Sequence, residues 1–438
     1  MSTTSTTKTL GAAALVTGAM NTVHAAGSGI IKVGWLGCGG RGSGAIRQCL
    51  GADPGTEVIA CADLFEHKAM SGREKLIADP KYKDRVKIKD DHIFHGFDCH
   101  EKLAQTECDL LVMATTPAFR GRQMLAALKA PKPKHIFTEK PIASDVAGCR
   151  LVMEAAKIAT QKNRAIVCGT QRRHEFRRVE TLKRIHAGAI GELLAGQCYW
   201  FGGGIWYRSD SEGMSELEWQ CHNWYHFTWL SGDQIVEQAI HDIDMMNWCF
   251  NGPPKKFMAV GGRQSRDYSE QAKEVCKKFN NGSDANWEKY NGNIWDHIFG
   301  EMEYANGARC TAFTGHGPGT GRPSAEKLIG SKGASDCTDT IKGENPWTYQ
   351  GEQVNGQDQE HIDLIKSIRS GNLLNEGQRI AETTLTAIGL RTAAYTGKTI
   401  SWDWLLNASK QDLVPPQGKL KPGPGHFEPI STGCDKLV

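Results

Sequence analysis

Residues 33 to 46, VGWLGCGGRGSGAI, hold six glycines at the end of an apolar run, and Gly37-Cys38-Gly39-Gly40-Arg41-Gly42 fits the spacing G-x-G-x-x-G. Between a strand and a helix, the first glycine makes a tight turn and the second lets the backbone approach a pyrophosphate. The helix N-terminus adds positive potential. Asp63 lies 21 residues beyond Gly42, at the end of the next apolar run. A carboxylate there accepts hydrogen bonds from both ribose hydroxyls of an adenosine and repels a 2′-phosphate. Gly37, Gly39, Gly40, Arg41, Gly42 and Asp63 therefore read as a site for NAD in preference to NADP.

Two later strand ends, Thr115-Thr116-Pro117 and Glu139-Lys140-Pro141, point at the same crevice, because ligands of parallel sheets bind beyond the carboxyl ends of the strands. Thr115, Glu139 and Lys140 thus join the cofactor set. A cationic nicotinamide beside Lys140 would disfavour its ammonium form and suit it to proton exchange; a surface Lys-Pro exit fits the spacing equally. Glu237, His241 and Asp244 stand at i, i+4 and i+7, so one helical face would let two acids orient an imidazole. CHNWYHFTWLSGD supplies His222, Tyr225 and His226 to the same neighbourhood. Its H-x-x-x-H spacing has Asn223 where a zinc-site glutamate would stand, so no metal is expected. Trp219, Trp224 and Trp229 suit either sugar stacking or a core. Arg172 and His174 follow the sixth strand end, facing substrate or solvent.

These residues need a scaffold, and the sequence describes one. From Ile30 short apolar runs (IIKVGWLG, EVIACAD, DLLVMATT, HIFTEK, AIVCGTQ) alternate with amphipathic stretches, the rhythm of β-α-β units and a parallel sheet. After Gly191 aromatics cluster, and KKFMAVGGRQ and IFGEMEYANGARCTAFTGH alternate with period two around an Asn-Gly turn. Helices are expected in QEHIDLIKSIRSG and from Ala381 to Thr396. The fold class is α/β: an N-terminal parallel dinucleotide-binding sheet over 30–170, then an α+β substrate and oligomerisation domain over 171–400 with a large open, mostly antiparallel sheet. A Pro/Gly-rich tail occupies 405–438. Residues 1–26 carry one lysine, a short apolar stretch and Val-His-Ala, the pattern of a signal for export, with the periplasm the expected address.

The 438 residues carry a net charge of +3, 39% hydrophobic and 23% charged residues. This balance gives no reason to expect nucleic acid, and no run approaches the roughly 20 apolar residues of a membrane span. The fourteen cysteines include no C-x-x-C pair and are expected to be mostly core thiols.

GCGGRG, the aspartate of ACAD, ATTP and above all TEKP resemble the Gfo/Idh/MocA family of glucose-fructose oxidoreductases and inositol dehydrogenases. The resemblance continues through GTQRRHEF, AGAIGEL and VEQAIHDIDMMNW. It implies a Rossmann domain, an open C-terminal sheet that assembles dimers or tetramers, and NAD in an extended groove. It also implies that Lys140 is the active-site lysine and that Lys140-Pro141 is cis. Many members place an Asp four residues before a His; here Glu237 and His241 match, so the acid is one methylene longer.

The implied reaction is oxidation of a sugar, cyclitol or glycoside hydroxyl. His241 takes the proton, Lys140 assists, Glu237 and Tyr225 complete the catalytic set, and Arg172, His222 and Asp244 contact the carbohydrate. An alternative rests on exported relatives with a GGRG-type loop that resemble redox-assisted glycosidases. There NAD stays bound, C3 is oxidised transiently, and His241 or Tyr225 removes the acidified C2 proton before the aglycone leaves.

Overall fold

Short β-branched and apolar runs form strands, and the polar-faced stretches between them form helices. In chain order these are β1 (Ile31–Leu36), α1 (Gly40–Ala52), β2 (Thr56–Asp63), α2 (Glu66–Ile77), β3 (Ile93–His95), α3 (Cys99–Ala104), β4 (Leu110–Met113), α4 (Pro117–Lys129), β5 (His135–Thr138), α5 (Val146–Gln161) and β6 (Ile166–Cys168). The computed structural model describes residues 29–317 and 324–415; the expected export signal and the tail from 416 onward lie outside them. The six strands are all parallel, in the order β3-β2-β1-β4-β5-β6, and the order reverses between β1 and β4.

The register of this sheet builds the rim. Leu36 pairs with Ala62 and with Met113, Met113 with Thr138, and Thr138 with Cys168. The residues that follow, Gly37, Asp63, Ala114-Thr115, Glu139-Lys140 and Gly169, are therefore level with one another at the carboxyl edge.

The second half comprises α6 (Phe176–His186), β7 (Leu193–Gly202), α7 (Glu216–His222), α8 (Thr228–Ser231), α9 (Gln234–Glu237), α10 (Ile240–Cys249), β8 (Lys256–Gly262), α11 (Ser269–Phe279), β9 (His297–Glu303), β10 (Arg309–His316), β11 (Ala325–Gly330), β12 (Gly333–Ser335), β13 (Thr340–Gly343), β14 (Trp347–Thr348), α12 (Gly356–Ser370), α13 (Gly377–Thr396) and β15 (Ile400–Ser401). Its nine strands run β14-β13-β12-β11-β7-β10-β9-β8-β15. Neighbours are antiparallel except β7 with β10, which are parallel. The Asn306-Gly307 turn closes the β9–β10 hairpin, with Gly307 at φ +84°.

One face of this sheet buries Phe257, Ile298, Met302, Cys310 and Leu328, beneath α10 and α13. The other face is open. Register aligns Val260, Phe299, Phe313 and Tyr199 across four strands, with ring centroids 4.4 Å apart for Phe299–Phe313 and 5.3 Å for Phe313–Tyr199. Leu194 on β7, Met258 on β8 and Ile329 on β11 are exposed as well.

Although α12 follows all but the last strand of the second sheet in sequence, it packs on α1. Leu364, Ile365 and Ile368 share a core with Val33, Ile46 and Leu50, and Ile166 bridges to Asn375. All the described cysteines are buried and free of disulfides.

Candidate active site

The glycine loop has the shape a dinucleotide needs. Gly37 sits at φ +91°, and a Cβ there would lie 2.8 Å from the Ala114 carbonyl carbon, so β1 and β4 can part only around a glycine. A Cβ on Gly42 would strike the Gly37 carbonyl oxygen, whereas Gly39 and Gly40 face open space, where a phosphate can meet the first N–H groups of α1. Asp63 accepts from the Cys38 N–H at 2.7 Å and from the Phe65 N–H at 3.0 Å. Each oxygen keeps a lone pair for a ribose hydroxyl. The open cradle and the unspent acceptors fit NAD.

A cavity of about 490 Å³ runs along this rim, lined from both halves of the chain. Gly37, Gly39, Gly40, Arg41, Gly42, Asp63, Thr115, Glu139 and Lys140 all line it, as do Glu237 and His241. The structure therefore gathers every cofactor residue the sequence named. The Arg41 guanidinium is already partnered within this rim: it pairs with Glu139 and donates to Gln48 at 2.9 Å.

The Lys140–Pro141 peptide is cis. The Lys140 ammonium donates to the Glu237 backbone carbonyl at 2.5 Å and to Glu237 Oε1 at 3.2 Å. Burial pushes the Glu237 carboxyl up, and Lys140 opposes it; Glu237 Oε2 is buried without a partner. His241 lines the same cavity and its ring makes no hydrogen bond to another described residue. Burial, with Lys140 and Arg172 nearby, holds its imidazole well below the usual range. A neutral ring with a free nitrogen is a proton acceptor.

The expected continuous helix is absent. Glu237 ends α9, Gln238 and Ala239 intervene, and His241 lies in the first turn of α10. The break turns Glu237 to Lys140 instead of to His241. Asp244 is corrected more strongly, since its carboxylate takes Arg173 at 2.7 Å, Arg379 at 3.2 Å and Thr383 at 2.8 Å. Burial alone would raise it, but these arginines hold it well below the ordinary carboxylate range, and it does not line the cavity. Arg172 is likewise taken up, clamped between Asp242 and Glu326.

Tyr225 is buried behind the cavity wall, sharing a 3.0 Å hydrogen bond with His316 Nδ1. His226 is a core histidine held by the Trp206 carbonyl at 2.7 Å, and His174 pairs with Asp363 at 2.7 Å. Trp219 and Trp229 are fully buried, while Trp224 lines the cavity. His222 lies at the opposite end from Lys140: its ring meets Phe65 edge-on at 5.8 Å, next to the ribose carboxylate, and its Nε2 pairs with Asp210 at 3.0 Å.

Arg120 was not singled out by its sequence setting. Its buried guanidinium donates to the Thr115, Glu139 and Pro141 carbonyls, tying two strand ends into one rim. Lys68, Gln171, Gln238 and Gln357 also line the cavity. Nothing in helix periodicity separates a buried arginine from a solvated one. Lys68, in the first turn of the helix after Asp63, carries the one positional signal.

Residues 31–167 match the family described as "Oxidoreductase family, NAD-binding Rossmann fold", and residues 179–335 match "GFO/IDH/MocA C-terminal domain". Inositol 2-dehydrogenase of Acidothermus cellulolyticus is 24% identical over 235 residues, 54% of this chain and 58% of that protein. The Salmonella typhimurium protein of the same name is 26% identical over 239 residues, 54% and 59%. The chain thus spans less than two thirds of these curated relatives. Among solved structures, scyllo-inositol dehydrogenase from Lactobacillus casei with bound NAD(H) and scyllo-inositol superposes with a TM-score of 0.60 at 16% identity, over 85% of this chain and 99% of that one. Aldose-aldose oxidoreductase from Caulobacter crescentus complexed with glycerol gives 0.62 at 15%, over 85% and 99%. Residues 31–167 are an NAD-binding Rossmann domain, and the chain belongs to the Gfo/Idh/MocA family.

Proposed function

We propose that this protein oxidises a secondary hydroxyl of a sugar or cyclitol, with NAD as the hydride acceptor. The observation that carries the reading is the convergence of Lys140, Glu237 and His241 on the cavity that also holds the glycine loop. The names of the relatives support the substrate class.

NAD, when bound, supplies the acceptor for the hydride. His241, held uncharged in its half-buried setting, removes the hydroxyl proton as the C–H bond breaks. Lys140 holds the same oxygen and stabilises the negative charge that develops on it. Glu237 fixes the ammonium through its carboxylate and its backbone carbonyl, so both elements that carry the charge are positioned before substrate arrives.

A second reading, cleavage of a glycoside with no net redox change, uses the same residues. Glu237 and His241 line one cavity, which supports it, because elimination needs an acid and a base within reach of one substrate. The test is to supply NAD with a panel of inositols and aldoses, and separately chromogenic glycosides without cofactor. NADH formation lost in His241→Ala supports the oxidoreductase; aglycone release without net NADH supports the second reading. Activity unaffected by His241→Ala removes both.

We also propose that the open sheet face pairs with a second copy. In the aligned row Val260 and Phe299 are exposed and Phe313 and Tyr199 half-buried, apolar surface of the kind that marks an interface.

A further inference from the structure

Lys140 leaves the first sheet at the point where strand pairing stops supporting it. Glu139 still donates its N–H to the Met113 carbonyl at 2.9 Å, but Pro141 has no N–H with which to continue the ladder. The carbonyls of Glu139 and Pro141 flank the lysine at this exit, and one side chain takes both. Arg120, in the first turn of α4, donates from Nη1 to the Glu139 carbonyl at 2.9 Å and to the Pro141 carbonyl. Its Nε donates to the Thr115 carbonyl at 2.8 Å, and Nη2 reaches the same oxygen. The guanidinium thus spans the ends of β4 and β5, which its planar fork of donors allows and a single ammonium does not.

Arg120 is buried, and it lines the cavity together with Lys140 and Glu237. Among the described residues its hydrogen bonds all end on backbone carbonyls, whereas Arg41 pairs with the Glu139 carboxylate. Burial pulls the guanidinium below the ordinary arginine value, and Glu139, Cys168 and Glu237 oppose this only across space. A cation taken out of water without a hydrogen-bonded carboxylate is costly, and an apolar side chain would fill the same space at less cost. Packing alone does not call for it. What the cost secures is the turn that carries Lys140. The backbone on either side of the lysine is gripped by Arg120, and its ammonium is gripped by the Glu237 carbonyl at 2.5 Å and Oε1 at 3.2 Å.

We propose that Arg120 is the positioning residue for Lys140: by holding the two carbonyls that flank it, the guanidinium fixes the direction in which the ammonium enters the cavity. The proposal rests on the part given to Lys140 in the proposed oxidation and adds what aims it. A flexible four-carbon side chain reaches one geometry only when its root and its tip are both fixed. Because Arg120 acts through Lys140, its effect on turnover disappears when Lys140 is removed. A role confined to holding the fold together has no such dependence, since independent losses add.

The experiment uses the full chain as wild type, Arg120→Lys, Lys140→Ala and the double variant, each measured well below its melting temperature. Arg120→Lys keeps the charge and gives up the fork; Arg120→Gln, a neutral planar donor, replaces it if the lysine variant does not fold. The expected result is a fall in kcat of roughly 10²-fold, the scale of about 1 Å of misplacement, with little change in KM. The same substitution made in Lys140→Ala should cost nothing further. Independently of turnover, Lys140 should react faster with an amine-acylating reagent in the Arg120 variant than in the wild type, read by peptide mass mapping. Losses that add in full in the double variant, or an unchanged labelling rate in a folded variant, overturn the proposal. Wild type that forms no NADH with any of the carbohydrates overturns the oxidoreductase reading instead, and the labelling rate then decides the place of Arg120 by itself.

Discussion

The Lys140 ammonium and the Glu237 backbone carbonyl are 2.5 Å apart, and this contact joins the end of β5 in the first sheet to the end of α9 in the second half. The lysine is therefore oriented by the backbone as well as by a carboxylate, and the orientation survives changes in the protonation of Glu237. Lys140→Ala should lower kcat by roughly 10²–10⁴, the usual share of a proton-handling group. The NAD dissociation constant should stay nearly unchanged, because the glycine loop and Asp63 are remote from the ammonium. Steady-state kinetics with calorimetric NAD titration checks this, and unchanged turnover would refute the role.

Two glycines in the loop should respond oppositely to the same methyl group. Gly42→Ala drives a Cβ into the Gly37 carbonyl, so the melting temperature should fall along with NAD affinity. Gly39→Ala meets nothing in the protein, so the fold should keep its melting temperature while NAD affinity drops about tenfold or more, the methyl standing where the phosphate must approach. Equal melting losses in the two variants would contradict the assigned geometry.

Acid should weaken the fold in the histidine range. Burial holds His222 and His226 at about 4, and His316 and His361 at about 3, against about 6.5 in an unfolded chain. Between those values the unfolded chain binds more protons, so stability is present above about pH 6.5 and is lost as pH falls toward the folded values. At about 1.4 kcal/mol per unit for each group, the fall from pH 6.5 to pH 5 alone amounts to several kcal/mol over the four rings. Thermal melts at pH 7 and pH 5 should differ by more than about 5 °C; superimposable melts would show that these rings are not buried as described.

The open face should report in solution. Val260→Asp combined with Phe299→Asp places two carboxylates in the apolar row without entering the buried face. Sedimentation velocity should show the wild type as a dimer or larger and the variant as smaller. A wild type that sediments as a monomer would dismiss the proposed pairing.

The parallel sheet and its rim were legible because each apolar run ends on a distinctive tripeptide or acid, and register then aligns those ends. GCGGRG, Asp63, Thr115 and Glu139-Lys140 needed only strand order to meet. The second half was legible as antiparallel strands around Asn306-Gly307, but β12 to β14 are two to four residues long, too short for a period to register. His241 was found and its setting was not. Spacing alone cannot see that Gln238 and Ala239 interrupt the helix, or that Asp244 has two arginines waiting in the core. His222 and Tyr225 were misplaced for a related reason: proximity in sequence to a substrate-side helix says nothing about which end of a long groove a residue reaches.

The return of α12 to the first sheet bears on how the chain can be divided. A cut after β6 would leave the flank of α1 bare, because Leu364, Ile365 and Ile368 are drawn from nearly two hundred residues further along. The nucleotide-binding half thus depends on a helix made after eight of the second sheet's nine strands, and its completion during synthesis waits for those strands to emerge. Fragments divided at residue 170 should each expose a greasy seam, whereas a split that keeps 356–375 with the first sheet respects the unit the folding chain builds.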